Sequence, residues 1–404
     1  MTAFSLPDPA STALLVIDPL PGALGEVAEP CAALLEAARQ AGLLVLFLSP
    51  EAARGQADFA PGFACATAPN EAPVRTGAAG PFGATDLGLI LRSNGVRSLV
   101  LAGANRAHFV TCAARDAAAR GYAVIEAAGC LAGPACGAAQ IPGATLTAAW
   151  AATAPGPRHW QAEVKHARLR RSLEERVAPG RAALVLIDVQ NDFCAPDGAT
   201  GRRQEAMPLV HSAVPRIQQL LGAARAAGVD VVHVRAEYGP LFRSPGSPYR
   251  FPSTQTREGA VWSASAADIS EHARFAPDAV EVCLTGQWGG EFLDGFGPLP
   301  GETVITKHRY SAFIDTPLEA TLRAKGIETV ILAGVTTNCC VESTARDASM
   351  LDFYLVVAED GVGTKDLVRD LHAASLEQIR TYFGRVDPVA RIIEAWRGSA
   401  RQAA

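Results

Sequence analysis

The feature that most limits how this chain can fold is an internal repeat. Thr85 to Asp116 (TDLGLILRSNGVRSLVLAGANRAHFVTCAARD) lies without a gap on Thr316 to Asp347 (TPLEATLRAKGIETVILAGVTTNCCVESTARD), with 12 identities in 32 positions. Ala13-Leu14-Leu15-Val16-Ile17-Asp18-Pro19 likewise mirrors Ala183-Leu184-Val185-Leu186-Ile187-Asp188-Val189. A tandem duplication predicts one fold used twice, and 404 residues exceed the usual size of a single hydrophobic core. In each half, short apolar runs alternate with Ala-rich helical segments such as Cys31 to Ala41 and Val214 to Ala227, the pattern of βαβ crossovers. The expected fold class is α/β, as two tandem three-layer α/β/α domains, each with a mainly parallel sheet covered on both faces. Ala154-Pro155-Gly156-Pro157 breaks the pattern and Gln161 to Val177 reads as a polar helical connector. Domains are therefore expected over 1–154 and 178–404, with a linker over 155–177.

Chemistry concentrates at three strand ends of the second copy. The apolar run Thr329 to Ala333 delivers Gly334-Val335-Thr336-Thr337-Asn338-Cys339-Cys340-Val341 to a strand end, and a helical pattern continues from there. A cysteine at a helix N-terminus faces orphan N–H groups and the positive end of the helix dipole, which pull a thiol pKa below its free value of about 8.5 and can cradle an oxyanion. By position alone, Cys339 and Cys340 could equally be small core residues. Asp188 closes the buried run Ala183 to Ile187, at the end of a parallel strand where ligands of α/β sheets bind. Lys307 closes Val304-Ile305-Thr306 in the same way. A base, a cation and a thiol converging from three strands suit acyl transfer.

With Asp188 and Lys307 upstream of it in that order, the stretch around Cys340 resembles the isochorismatase-like cysteine hydrolases, from about Ala182 to Val386. Within them, Lys307-His308-Arg309-Tyr310-Ser311-Ala312-Phe313, Thr316-Pro317-Leu318 and Cys340-Val341-Glu342-Ser343-Thr344-Ala345-Arg346-Asp347 look most like the ureidoacrylate amidohydrolase and biuret hydrolase branch. The resemblance implies the Rossmann-like fold of that family and cleavage of a C–N bond in a small ureido, carbamoyl or carboxamide compound through a thioester. It makes Cys340 the nucleophile, Asp188 the base, Lys307 the cation that holds both in register, and Cys339 a bystander. It also implies a cis peptide before Thr336, so that the N–H groups of Thr336 and Cys340 form the oxyanion hole. An isochorismatase-type vinyl-ether hydrolase is the enzymatic alternative, disfavoured by the cysteine. A non-catalytic scaffold or binding protein is the other, disfavoured by retention of all three residues in one copy.

A constant offset of 231 places Thr76 where Lys307 stands and Phe109 where Cys340 stands, while Asp18 keeps the acid. The first copy therefore reads as catalytically inactive. Arg75, one position from Thr76, could supply a cation through a slip but cannot replace a nucleophile, and neither His108 nor Cys112 occupies the position that the helix N–H groups face. Asp18 to Gly103 spans 85 positions and Asp188 to Gly334 spans 146, so the second copy is longer by 61. Most of the excess lies within 234–300, a stretch rich in Pro, Gly and aromatics that reads as a lid or binding loops. There Gly286-Gln287-Trp288-Gly289-Gly290-Glu291-Phe292 resembles a segment of the biuret hydrolase branch that closes over the site, which makes Trp288 and Glu291 candidate substrate-binding residues. Gln190, Phe193 and Tyr310 join them by position, since amide and phenol groups match the donors and acceptors of a ureido group.

The balance of 36 basic against 41 acidic residues, net −5, gives no footprint for nucleic acid. No apolar run reaches the length of a membrane span, and Met1 to Ala10 lacks the cationic start and apolar core of a signal peptide. Nine cysteines without zinc-like spacing suit a reducing compartment, and the expected location is the cytoplasm. No Asp-x-His pair follows Phe193 and His233 stands alone, so neither a metal nor an organic cofactor is expected. The expected partners are a small-molecule substrate and either further copies of the chain or the first domain acting as an intrachain pseudo-dimer partner.

Overall fold

The computed structural model describes the chain apart from residues 1–5, 50–58, 67, 77–79, 84, 105–108, 155, 203–206, 239–241, 243–281, 285, 365–369 and 404. His108 and most of the 234–300 insertion, including residues 247–251, lie outside the described residues. The chain divides into two compact units, Met1–Leu169 and Arg170–Ala404.

Each unit is built on a six-stranded parallel sheet. In the first, β1 (Thr12–Ile17), β2 (Leu44–Ser49), β3 (Glu71–Arg75), β4 (Ser98–Ala104), β5 (Ala123–Ala132) and β6 (Ala139–Pro142) are arranged β3-β2-β1-β4-β5-β6. In the second, β7 (Ala182–Ile187), β8 (Asp230–Ala236), β9 (Thr303–Lys307), β10 (Thr329–Val335), β11 (Tyr354–Gly363) and β12 (Arg385–Asp387) repeat the order as β9-β8-β7-β10-β11-β12. Both central strands, TALLVI and AALVLI, are buried along their whole length, as expected of strands covered on two faces. Strand order reverses between β1 and β4, and again between β7 and β10; such switch points open a crevice at the carboxyl ends of the strands.

The two copies share backbone detail beyond their topology. Asp18 and Asp188 leave their strands with φ of 49° and 52°. Gly103 and Gly334 sit at φ of 118° and 125°, each beside a register shift, and a Cβ on them would meet the carbonyl oxygen of Ile17 at 2.0 Å and of Ile187 at 2.1 Å. Only glycine allows that backbone approach, so both copies keep it at the switch point.

The covering helices are amphipathic. Pro208–Ala227 buries Val210, Ala213, Ile217, Leu220, Leu221 and Ala224 at helical spacing and ends on Gly228 in the left-handed region, φ 72°. Each fully buried Leu or Ile there contributes about 1.5–3 kcal/mol relative to exposure. The segment expected as a linker is shared between the units. Arg158 Nε donates to the Ala41 carbonyl at 2.8 Å and Trp160 Nε1 to that of Gly42 at 2.9 Å, in the first unit. In the second, Ser172 and Glu175 form a capping box for Leu173–Val177, whose Leu173 and Val177 enter the core. Among the described residues no helix is long and apolar enough to cross a membrane.

Glu302, just before β9, ties that edge strand to its neighbours. It accepts from Arg225 at 2.8 Å, pairs with His233 Nε2 at 2.8 Å and accepts the Leu299 N–H at 2.8 Å. Burial works against its charge, but these partners outweigh it and hold the carboxyl at about 2. A depressed carboxyl stabilises the fold above its unfolded pKa and loses that contribution as pH falls through the folded value. Glu302→Gln is accordingly expected to cost about 1–3 kcal/mol at pH 7, the worth of hydrogen bonds to a charged group. Urea unfolding should show the gap from wild type closing between about pH 4.5 and 2. His233, buried and held by Glu302, is a structural histidine.

Candidate active site

Three strand ends of the second unit supply the site. Asp188 follows β7, Lys307 is the last residue of β9, and the wide π turn Thr337–Val341, which carries Cys340, follows β10. Because β9 is two strands from β7, only a long side chain spans the gap. The Lys307 ammonium does so: Nζ lies 2.8 Å from Asp188 Oδ2 and 3.4 Å from Cys340 Sγ, and its third donor meets the Arg309 carbonyl at 3.1 Å. Tyr238 presents its ring 5.9 Å from the same nitrogen. Asp188, Lys307 and Cys340 are thus brought together, with Lys307 wholly buried and Cys340 3 % exposed.

Burial governs the electrostatics. It pushes the Asp188 carboxyl up despite the opposing pull of Lys307. For Lys307, burial lowers the pKa but Asp188 and Cys340 outweigh it, so the ammonium stays charged. The Cys340 thiol is raised well above its ordinary value, first by burial and second by the Asp188 charge, with Lys307 opposing. The shift runs opposite to that expected of a thiol at a helix N-terminus, because burial strips the sulfur of hydration. The resting group is a neutral thiol beside a carboxylate of raised basicity, and ionisation requires transfer of the proton to Asp188. Asp188 Oδ2 and the Cys340 sulfur thus face one ammonium, which places the acid beside the thiol.

The turn that holds Cys340 is well anchored. The peptide between Val335 and Thr336 is cis. The N–H groups of Cys339 and Val341 both donate to the Thr336 carbonyl, at 3.1 and 3.2 Å. Thr337 Oγ1 pairs with His372 Nδ1 at 2.9 Å, Asn338 accepts from Thr364 Oγ1 at 2.6 Å, and Thr344 Oγ1 donates to the Cys340 carbonyl at 2.7 Å. Thr336 Oγ1 is buried without a hydrogen-bond partner beside the nucleophile turn.

The remaining candidates are distributed differently. Gln190 is buried, and its amide is committed within the protein: Nε2 donates to the carbonyls of Ala236 (3.0 Å) and Gly290 (2.8 Å), while Oε1 accepts the Ala236 N–H at 2.7 Å. It clamps the end of β8 to the Trp288–Gly290 turn. Phe193 lies in the hydrophobic core at 4 % exposure. Trp288 is 48 % exposed and Glu291 is also exposed, whereas Tyr310 is half-buried against the core. Arg309 Nη1 donates to the Phe242 and His308 carbonyls at 2.9 and 2.7 Å. Asp192 was not among the candidates, yet it is buried four residues past Asp188 and accepts two backbone N–H groups. Its contact with Cys283 joins residues far apart in the chain, so the sequence carried no signal for it.

In the first unit Thr76 is buried just past the end of β3, and Phe109 begins the helix Phe109–Ala118, with Asp18 buried after β1. Lysine and cysteine are absent from those positions.

Residues 12–142 and 182–390 match the Isochorismatase domain family. The ureidoacrylate amidohydrolase RutB of Methylobacterium radiotolerans is 34% identical over 213 residues, 52% of this chain and 78% of that protein. The enzyme of the same name from an Enterobacter species is 31% identical over 222 residues, 54% of this chain and 90% of its own length. Among solved structures, N-carbamoylsarcosine amidase from Thermoplasma acidophilum is 25% identical, with TM-score 0.38, covering 52% of this chain and 96% of its own. With both repeats matched over most of their length, the chain belongs to the isochorismatase family.

Proposed function

We propose that the protein is a cysteine-dependent amidohydrolase that cleaves a C–N bond of a small ureido, carbamoyl or carboxamide compound through a thioester. The observation that carries this reading is the position of Lys307 Nζ, 2.8 Å from Asp188 and 3.4 Å from the Cys340 sulfur. The name of the relatives, ureidoacrylate amidohydrolase, supports the bond class.

Asp188 takes the thiol proton as Cys340 attacks the carbonyl carbon, and Lys307 keeps the sulfur and the carboxylate in register. The tetrahedral oxyanion is received by the backbone N–H groups of Thr336 and Cys340. Its collapse breaks the C–N bond, and Asp188 returns the proton to the departing amine or ammonia. Water, deprotonated by Asp188, then hydrolyses the thioester and restores the thiol. Phe193, Trp288, Glu291 and Tyr310 are the proposed substrate neighbours, while Gln190 shapes the wall rather than offering a free amide. The first unit, with Thr76 and Phe109 at the corresponding positions, forms no thioester and is proposed to be inactive.

An ammonia-release screen over ureido and carboxamide compounds tests this reading. Turnover of at least one such compound is expected, and none across the panel contradicts it. Because burial raises the Asp188 pKa, the acid limb of kcat/KM should lie above the ordinary carboxylate range of about 4. An acid limb at or below that value would assign the base elsewhere.

A further inference from the structure

Residues 282–284 and 286–293 lie beside the site and are fastened to the loop after β7 by a set of hydrogen bonds. The Cys283 N–H donates to Asp192 Oδ2 at 2.7 Å, and Asn191 Nδ2 donates to the Trp288 carbonyl at 2.9 Å. The Asn191 N–H donates to the Glu291 carbonyl and the Leu293 N–H to that of Val189, each at 3.0 Å, around a bridge between Gln190 and Phe292. Asp192 is the hub. Its other oxygen accepts the Ala199 N–H at 2.9 Å, so one carboxylate joins three stretches of backbone. Room for it exists only because residue 289 is glycine: a Cβ there would stand 2.1 Å from Asp192 Oδ2 and 2.2 Å from Cγ.

From Cys283 the contacts run directly to the reacting groups. The Cys283 carbonyl accepts the Tyr238 N–H at 3.0 Å, and the Tyr238 ring faces Lys307 Nζ. Glu237, preceding Tyr238, donates its N–H to the Lys307 carbonyl at 2.9 Å. We propose that Asp192 is a positioning residue that seals the Lys307 side of the Asp188–Lys307–Cys340 cluster by holding Cys283 and Tyr238 against it. The inference rests on the functional reading above for its effect on turnover.

Sealing has a readout other than folding. The groups that face the Cys340 sulfur are Asp188, Lys307, Cys339 and, from the sealed segment, Cys283. Dehydration is the leading reason its thiol resists ionisation. Breaking the seal admits water, so the thiol should ionise at lower pH.

The experiment measures the rate of Cys340 alkylation by iodoacetamide from pH 7 to 11, by peptide mass spectrometry on the full chain. It compares wild type with Asp192→Ala, Asp192→Asn, Gly289→Ala and the double variant D192A/G289A. In Asp192→Ala the midpoint should fall by about one pH unit, making alkylation below it about tenfold faster, while kcat/KM for the panel substrate falls. Gly289→Ala should shift the profile the same way, because its methyl displaces the carboxylate. Added to Asp192→Ala it should cost little more, since the clash is then gone. Asp192→Asn should be intermediate, keeping one acceptor but turning a donor toward a backbone N–H. Profiles that coincide with wild type in both single variants overturn the proposal, as does a double variant whose losses simply add. If Asp192→Ala does not fold, as circular dichroism would reveal, Gly289→Ala carries the test alone. Alkylation needs no substrate, so failure of the amidohydrolase reading shows in the screen and leaves this outcome readable.

Discussion

Cys340→Ala is expected to lose at least about 10⁴ of kcat/KM, since deletion of one member of a coupled nucleophile, base and orienter leaves little of the covalent route. Cys340→Ser should fall almost as far, because an alkoxide is harder to form than a thiolate at the same site. Neither should threaten the fold. The sulfur is small and the turn is held by Thr337, Asn338 and Thr344, so urea unfolding should register a change of about 1 kcal/mol or less. Cys339→Ala, in the same turn, should retain activity within about threefold. These variants also test the first unit, which carries phenylalanine at position 109, where Cys340 stands in the second, and is expected to sustain no residual turnover.

Lys307→Met is expected to damage both activity and stability. Methionine fills the volume but leaves Asp188 buried without a cation, and removing one partner of a buried pair typically costs about 3–5 kcal/mol. The pH dependence gives the sign. Burial already raises Asp188, and loss of Lys307 raises it further. A raised carboxyl stabilises below its unfolded pKa of about 4 and loses that contribution as pH rises through its folded pKa. The stability gap between Lys307→Met and wild type should therefore be small near pH 4 and widen toward pH 8, as followed by urea unfolding. In parallel, kcat/KM should drop by about 10²–10⁴, because a protonated Asp188 cannot take the thiol proton. A gap independent of pH would mean that Lys307 serves packing alone.

The parts of the structure legible in the sequence are those written in periodicity and repetition. Continuous apolar runs ending at Asp188, Lys307 and Ala333 located three parallel strands and their carboxyl ends, and the 231-residue offset carried the same layout onto the first unit. Asp188 and Cys340 stand at the switch point between β7 and β10, and the long Lys307 side chain reaches both from the edge strand β9. Electrostatics was harder to read, because the position of Cys340 at a helix start suggested a lowered thiol pKa while its burial, invisible in a linear string, reversed the direction. Gln190 illustrates the same gap: an amide two residues past the base looked available, yet the Ala236 and Gly290 carbonyls consume both its donors. Asp192 acts through Cys283 and Gly289, residues about 90 positions away, and no local pattern announces such a contact. The linker dissolved into both units because Arg158, Trp160 and Leu173 found partners that composition alone does not specify.

Trapping the covalent intermediate tests the central claim most directly. The full chain, mixed with its best panel substrate and quenched in acid within one turnover, is digested and mapped by mass spectrometry. An acyl mass on the peptide that contains Cys340, absent from Cys340→Ala and from every peptide of the first unit, is the predicted result. Turnover that persists in Cys340→Ala, or acylation of a different residue, would contradict the account.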